Sequence, residues 1–456
     1  MVSIGPVQTT QQQMNLLGST LRGGGEIIHM TSSSTLSDPF YCGCDTELVP
    51  DGLVSVDEAL RRGLALVTPV GEVERIPLDR AHGRVLAESE NAETPLPLFD
   101  NSAMDGYAVR LADLVGKGPW HLPVAGRLAA GDTSAAPLPP GTALHIFTGA
   151  AVPPGCNAVV MQEMTRLEGD GIWLSRRPER GSNIRRAGED LAAGTQLLPA
   201  GRRIGPRAAA LLACAGCGEV AVRRRVRVAF FSTGSELREP GARLEHGQIW
   251  NSNRYHLQGS LDLPWVDAID MGSVPDKPEQ LRETLERASH AADLVVSTGG
   301  VSVGGEDHMP AVLRAAGGSI HVRKVAMKPG KPLMIGRIGA AIYLGLPGNP
   351  VSAFVTWHVI GARIAEALAG ISERTPRRII VRAGFERPRH PGRCEFLPAC
   401  LGSYDGCGTR TADIVTSEVS HRAGLLAKAD GLLMIPSETD RVQLGDMLEF
   451  LPFHDG

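Results

Sequence analysis

Aromatic side chains are scarce in this chain of 456 residues: Phe, Trp and Tyr together supply 4% of it. That scarcity excludes proteins that grip single strands by stacking successive bases on aromatic rings. A dominant charge is missing as well. With 46 Lys and Arg against 50 Asp and Glu the net charge is −4, which provides none of the basic excess behind general nucleic-acid affinity. There is no run of about 18 consecutive apolar residues to span a bilayer, and no charged start followed by an apolar core. Cysteine is thin for the length. The eight, at Cys42, Cys44, Cys156, Cys214, Cys217, Cys394, Cys400 and Cys407, do not form the dense framework of a small secreted domain. Cys214-Ala-Gly-Cys217 has redox or zinc spacing, but no second such pair or His pair accompanies it. It lies in an alanine-rich helical run and reads as two inert helix-end thiols. The expectation is a cytoplasmic protein with reduced thiols and neither a nucleic-acid nor a membrane partner.

Punctuation, by contrast, is abundant. The 54 glycines and 32 prolines are more than a helical bundle tolerates and point to strands, loops and several lobes. At about 150 residues per domain, the length indicates roughly three domains. Residues 1–50 are rich in Gln, Ser, Thr and Gly without apolar periodicity, and are expected to be a disordered extension. An amphipathic helix is expected from Val56 past Leu60 to Leu64, then a second short helix over Arg80 to Ala87, broken by Gly83. Between about 95 and 186, inside an elongated N-terminal part spanning 51–224, short apolar runs alternate with Gly and Pro clusters, the pattern of a β-rich subdomain. From 225 to 372 strands alternate with helices, which implies an α/β domain with a parallel sheet and right-handed crossovers. Asn349 and Pro350 there suit the cap and first position of a helix running to about Ala369. Residues 373–456 return to short β-like runs, a small C-terminal β domain.

Chemistry concentrates at strand ends in the α/β region. Val295-Val-Ser-Thr-Gly-Gly-Val-Ser-Val-Gly-Gly-Glu-Asp307 runs from an apolar strand into a glycine-dense loop with two carboxylates. Backbone N–H groups of Thr298, Gly299, Gly300, Ser302 and Gly304 suit an anion, and Glu306 and Asp307 are hard oxygen donors for a divalent cation. Phe230-Phe-Ser-Thr-Gly-Ser-Glu-Leu237 repeats the idea with Ser232, Thr233, Gly234 and Glu236. In a parallel sheet both loops fall at the carboxyl edge, where ligands bind, so they are expected to build one composite site. Asp276, after the Val266 to Met271 strand, belongs either to that edge or to a helix N-cap. Glu236, Asp276 and Asp307 together would hold Mg2+ beside phosphates. Lys324, Lys328 and Lys331 lie in a path stiffened by Pro329 and Pro332 and turned by Gly330, a rigid mount for ammonium groups facing an oxyanion. Basic runs at Arg176-Arg-Pro-Glu-Arg180, Arg185-Arg186 and Arg223-Arg-Arg-Val-Arg227 read either as anion attractors or as solvated strand ends. The loop carrying Asp105 and the turn at Thr148 stay open between plain loop and site. Ser420-His421 is no hydrolase signature, since a G-x-S-x-G elbow is missing.

In order, Asp100-Asn-Ser-Ala-Met-Asp-Gly-Tyr107, Thr148-Gly149, Asn183-Ile-Arg-Arg-Ala-Gly-Glu-Asp190, the Phe231 to Leu237 and Ser297 to Gly304 loops, Lys328-Pro-Gly-Lys-Pro332 and Gly345-Leu-Pro-Gly-Asn-Pro-Val-Ser352 closely resemble the molybdopterin molybdenumtransferase (MoeA) family, which is related to the gephyrin E domain. The likeness spans about Leu53 to Phe453. It implies a central molybdopterin-binding α/β domain and a homodimer with its active site in a cleft between subunits. The implied reaction takes adenylylated molybdopterin and molybdate, places the metal in the dithiolene and releases AMP with Mg2+ assistance. Carried over by motif, Glu236, Asp276, Asp307, Lys324, Lys328 and Ser420 match functional positions of the central and C-terminal domains. Asp105 and Thr148 match those of the partner-facing lobe, and Pro347, Gly348, Asn349 and Lys331 join the loops that bind the substrate. The implied protein partners are the molybdopterin adenylyltransferase and molybdoenzyme chaperones. Ser235 stands where many relatives have Asp or Asn, Asn251 where an Asp is common, and Gly305-Glu-Asp307 shifts the loop's acidic residues. Two other readings stay open: a molybdopterin adenylyltransferase, which resembles residues 225–370 alone, and a noncatalytic gephyrin-like scaffold.

Overall fold

The computed structural model describes residues 52–132, 136–301, 308–372, 378–415 and 423–453. The N-terminal extension and the candidate residues Ser302, Gly304, Glu306, Asp307 and Ser420 lie outside them.

Six strands form the central sheet: β1 (Val226–Thr233), β2 (Val266–Val274), β3 (Leu294–Thr298), β4 (Ser319–Val322), β5 (Met334–Ile338) and β6 (Ala341–Leu346). Their order across the sheet is β2-β1-β3-β6-β5-β4. The pairs β1/β2, β1/β3 and β3/β6 are parallel, whereas β5 and β4 join antiparallel. The expected parallel set is therefore extended on one side by a tight hairpin, in which Gly339 takes φ +57° between Ile338 and Ala341. Helices cover both faces, so the strands read as continuous apolar runs, and a period of two sorts their side chains between two cores. Val226, Val228, Phe230, Leu294, Val296, Ile342, Leu344 and Leu346 enter one core. Ala229, Phe231, Val295, Ala341 and Tyr343 enter the other. Each fully buried side chain of this size contributes about 1.5–3 kcal/mol. Tyr343, wholly buried, is satisfied by the Ser297 hydroxyl at 2.5 Å.

Flanking helices carry the expected caps. Ser55 caps Val56–Leu64 by accepting the Glu58 N–H at 3.1 Å, and Asn349 caps Pro350–Thr356 by accepting from Val351 and Ser352. The second of these continues through a π turn at Trp357–Gly361 into Ala362–Leu368. The helix expected over Arg80 to Ala87 is absent: after a short 3-10 turn at Leu78–Arg80, Val85 bridges Arg203 and Leu86 bridges Val222. Adjacent apolar residues with long-range backbone partners serve an extended chain here, and Leu86 packs beside Leu212 and Val220.

The β-rich lobe is a six-stranded sheet ordered Ala158–Met161, Gly106–Val109, Ala143–Ile146, Trp120–Leu128, Gly171–Leu174, Thr165–Glu168. At the C-terminal end Cys394–Tyr404, Arg410–Ile414, Ile379–Ala383, Met447–Pro452 and Gly431–Ile435 follow one another, and Gly431–Ile435 pairs back on Cys394–Tyr404, which closes a barrel. A short strand from the central region, Met327–Lys328, adds to the barrel beside Cys394 and Glu395. Among the described residues Cys156, Cys214, Cys217, Cys394, Cys400 and Cys407 are free thiols, and no helix is long and apolar enough to cross a membrane.

His256, on the helix Ser252–Leu261, packs at a tilt against Phe354 with ring centroids 4.9 Å apart and has no hydrogen-bond partner on either ring nitrogen. Burial, and the nearby His358 to a smaller degree, lower its pKa to about 4. A folded-state pKa below the unfolded value of about 6.5 contributes stability above pH 6.5 that is lost as the pH falls toward 4, about 2 kcal/mol of it by pH 4.5. Urea unfolding at pH 7 and pH 4.5 should therefore show a loss in the wild type that shrinks by about that amount in His256→Phe. Equal losses in the two proteins would contradict it.

Candidate active site

Because β1, β3 and β6 are parallel neighbours, their C-terminal ends open on one edge of the sheet. The loops that leave them touch. Gly299 donates its N–H to the Leu346 carbonyl at 3.0 Å, and it has φ +93°, with room for a Cβ only 2.4 Å from the Thr233 carbonyl oxygen. On its other side the space for a Gly348 side chain ends 3.5 Å away at Gly299 Cα. A side chain at Gly299 would push the first two loops apart, whereas a methyl group at Gly348 would make only ordinary contact, so Gly299 is the position that lets the loops touch.

Beneath the edge the hydroxyls are committed inward. Thr298 Oγ1 donates to Ser232 Oγ at 3.0 Å, Ser232 Oγ donates to Asn251 Oδ1 at 3.1 Å, and Asn251 Nδ2 donates to Ser273 Oγ at 2.9 Å. Ser232, Thr298 and Asn251 are each 1% exposed, so their side chains brace one strand end against the next beneath the edge. Asn251 thus does more than open the Ser252–Leu261 helix, whose Arg254 N–H it accepts. Its place under two loops was not readable from its spacing.

Asp276 is not a helix cap. Lys277 occupies that position without a side-chain bond, and the Asp276 carboxylate instead accepts the Thr233 hydroxyl and, at 3.1 Å, the Ser235 N–H. Ser235 returns the contact by accepting the Asp276 N–H at 3.3 Å. Glu236 curls over the same turn: a Cβ on Gly234 would lie 2.8 Å from Glu236 Oε2. Two carboxylates therefore flank Gly234, Asp276 tied to the loop and Glu236 exposed. Among the described residues no group of three His, Cys, Asp or Glu is poised for a metal ion, and Asp307, the third expected donor, lies outside them.

The lysine turn is closed by Val325 N–H donating to the Lys331 carbonyl at 2.9 Å, while the Lys324 carbonyl accepts the Val54 N–H. At its apex the space beside Gly330 ends 2.5 Å away on Thr356, so the turn packs on the helix that Asn349 starts. Lys328 reaches Glu395 of the barrel at 3.1 Å; Lys331 is exposed and Lys324 half-buried. In the β-rich lobe Asp105 and Thr148 come together, with Asp105 Oδ1 accepting the Thr148 N–H at 2.8 Å and its hydroxyl at 2.7 Å. These two bonds hold the Asp105 carboxyl below the ordinary carboxylate range. No described hydrogen bond or ion pair joins this pair to the three loops. Of the basic runs, Arg223 and Arg224 are structural: Arg223 donates to the Val70 carbonyl, and Arg224 grips Asp293 through both terminal nitrogens.

Three family descriptions match the chain: "MoeA N-terminal region (domain I and II)" over residues 54–216, "Probable molybdopterin binding domain" over 229–366, and "MoeA C-terminal region (domain IV)" over 381–453. A molybdopterin molybdenumtransferase of Haemophilus influenzae is 35% identical over 406 residues, 88% of this chain and 99% of that protein. Molybdopterin molybdenumtransferase 2 of Mycobacterium tuberculosis is 37% identical over 82% of this chain and 93% of its own length. The crystal structure of a molybdopterin biosynthesis MoeA protein from Pyrococcus horikoshii OT3 superposes with a TM-score of 0.75 at 29% identity, covering 88% of this chain and all of that one. Likeness over nearly the full length of both chains, in sequence and in fold, settles the kinship: the chain belongs to the molybdopterin molybdenumtransferase family.

Proposed function

We propose that this protein transfers molybdenum from molybdate into adenylylated molybdopterin and releases AMP, a step in molybdenum cofactor biosynthesis. The observation that carries the reading is the contact of three glycine-containing loops at one parallel edge, with two carboxylates around Gly234. In this reading the loop backbones of Ser232, Thr233, Gly234, Thr298, Gly299 and Gly300, joined by Ser302, Gly304, Pro347, Gly348 and Asn349, receive the phosphates. Lys324, Lys328 and Lys331 add positive charge, and an ammonium near a developing phosphate anion favours its departure. Glu236 and Asp276 are hard oxygen donors on either side of Gly234, and with Asp307 they would hold Mg2+. That ion would supply charge neutralisation at the departing AMP phosphate. Ser420 completes the set from the C-terminal domain.

Asp105 and Thr148 are proposed to serve the site of a second copy, since they match the partner-facing positions of the family and are bonded to each other. A homodimer follows from that assignment. The same reading carries a cytoplasmic location, domain limits at 51–224, 225–372 and 373–456, and exchange with a molybdopterin adenylyltransferase and molybdoenzyme chaperones. Purified protein given adenylylated molybdopterin should release AMP only when molybdate is added. ATP-dependent adenylylation of molybdopterin without molybdate-dependent AMP release would reject this in favour of the adenylyltransferase, and neither activity would favour a scaffold.

A further inference from the structure

We infer that Glu395, in the C-terminal barrel, is a positioning residue for Lys328. This deepens the reading above and rests on it for the role of Lys328. Glu395 is 3% exposed, an unusual place for a carboxylate, and it is set there by strand pairing: Lys328 lies opposite Glu395 where Met327–Lys328 joins the barrel. The Lys328 ammonium meets Glu395 Oε1 at 3.1 Å, while its side chain remains 47% exposed. Two further cations come from the C-terminal domain, beside the barrel. Arg387 lies 3.3 Å from Glu395 Oε2, and Arg389 lies 4.0 Å from Oε1. Arg389 also donates to the carbonyls of Arg393 and Pro436, which fixes it in place.

These contacts have a directional logic. A buried carboxylate needs compensation, and Arg387 and Arg389 provide it from within the C-terminal domain, so the charge of Lys328 is not consumed in rescuing Glu395. An ammonium has three donors. One goes to Glu395 and two remain for an anion at the exposed end. A lysine side chain is otherwise flexible, and a buried anchor on its ammonium removes that freedom before substrate arrives. The barrel therefore acts on the central domain at one defined atom, the Lys328 nitrogen.

The test compares wild type, Glu395→Gln, Glu395→Asp, Lys328→Met and the Glu395→Gln/Lys328→Met double variant. Acylation of Lys328 by a lysine-selective ester, followed by peptide mass spectrometry with Lys331 as internal reference, should be several-fold faster in Glu395→Gln than in wild type, and intermediate in Glu395→Asp. In the AMP-release assay Glu395→Gln should lower kcat about tenfold with little change in KM, Glu395→Asp should recover part of it, and Glu395→Gln should cost nothing further in the Lys328→Met background. An unchanged labelling ratio overturns the inference, as does a full, multiplying loss of kcat in the double variant, since a merely structural carboxylate would behave so. A wild type that never releases AMP while labelling shifts as expected would remove the proposed reaction but leave the anchoring of Lys328 standing.

Discussion

Replacing Asp276 by alanine is expected to lower molybdate-dependent AMP release by about a hundredfold or more, with the melting temperature within a few degrees of wild type. Two roles meet in this carboxylate. It ties down the first loop by accepting from Thr233 and Ser235, and it stands beside Gly234 as one of the proposed Mg2+ donors. Asp276→Asn removes the charge while keeping part of the tie, because its amide oxygen still accepts the Thr233 hydroxyl but its NH2 cannot accept the Ser235 N–H. The Asn variant should keep the Thr233 bond, lose the Ser235 bond at a small cost in melting temperature, and need much more Mg2+ for a lower maximal rate. If Asp276→Asn worked at wild-type rate and Mg2+ concentration, the carboxylate would have no part in holding a cation. The side chain is half-buried, and the unfolding cost of losing it is small beside the catalytic one.

Gly299→Ala carries the second large effect, and here stability and activity fall together. The methyl group would be placed 2.4 Å from the Thr233 carbonyl oxygen, in a residue held at φ +93°. A left-handed conformation costs an L-residue about 1–2 kcal/mol, and relief of the overlap requires the first two loops to part, so a total of about 2–4 kcal/mol is expected. Gly317→Ala provides the control. Its φ is +78° with nothing within 4 Å of the added carbon, so it should show the conformational cost alone and full AMP release. Thermal unfolding and turnover measured on both variants decide the matter: equal effects at the two positions would mean that the contact between the loops does not hold the site together.

Much of this arrangement was legible because local chemistry and global fold agree. A β-branched or aromatic run ending in Ser-Thr-Gly announces a strand with a loop at its carboxyl end, and a parallel sheet must gather such loops on one edge. The caps at Ser55 and Asn349 were legible for the same reason, since each satisfies N–H groups within a few residues. What escaped depends on residues far apart in the chain. Val85 and Leu86 look helical beside Arg80 and Ala81 until their partners Arg203 and Val222 are known. The hairpin at Gly339 is marked only by one glycine between short apolar runs. Asn251 announced a helix start but not its bond to Ser232, and Glu395 sits 67 positions from the lysine it holds. Asp276 left a choice between cap and site, and the position of Lys277 at the helix start excludes the cap.

Hydrogen–deuterium exchange of the protein with and without adenylylated molybdopterin tests the central claim most directly, that the ends of β1, β3 and β6 form a single ligand site. The account predicts slowed exchange in all three segments, 232–236, 298–301 and 346–349, on adding the ligand, and loss of that protection in Gly299→Ala. Unchanged exchange in these three segments, with protection falling elsewhere in the chain, would contradict it.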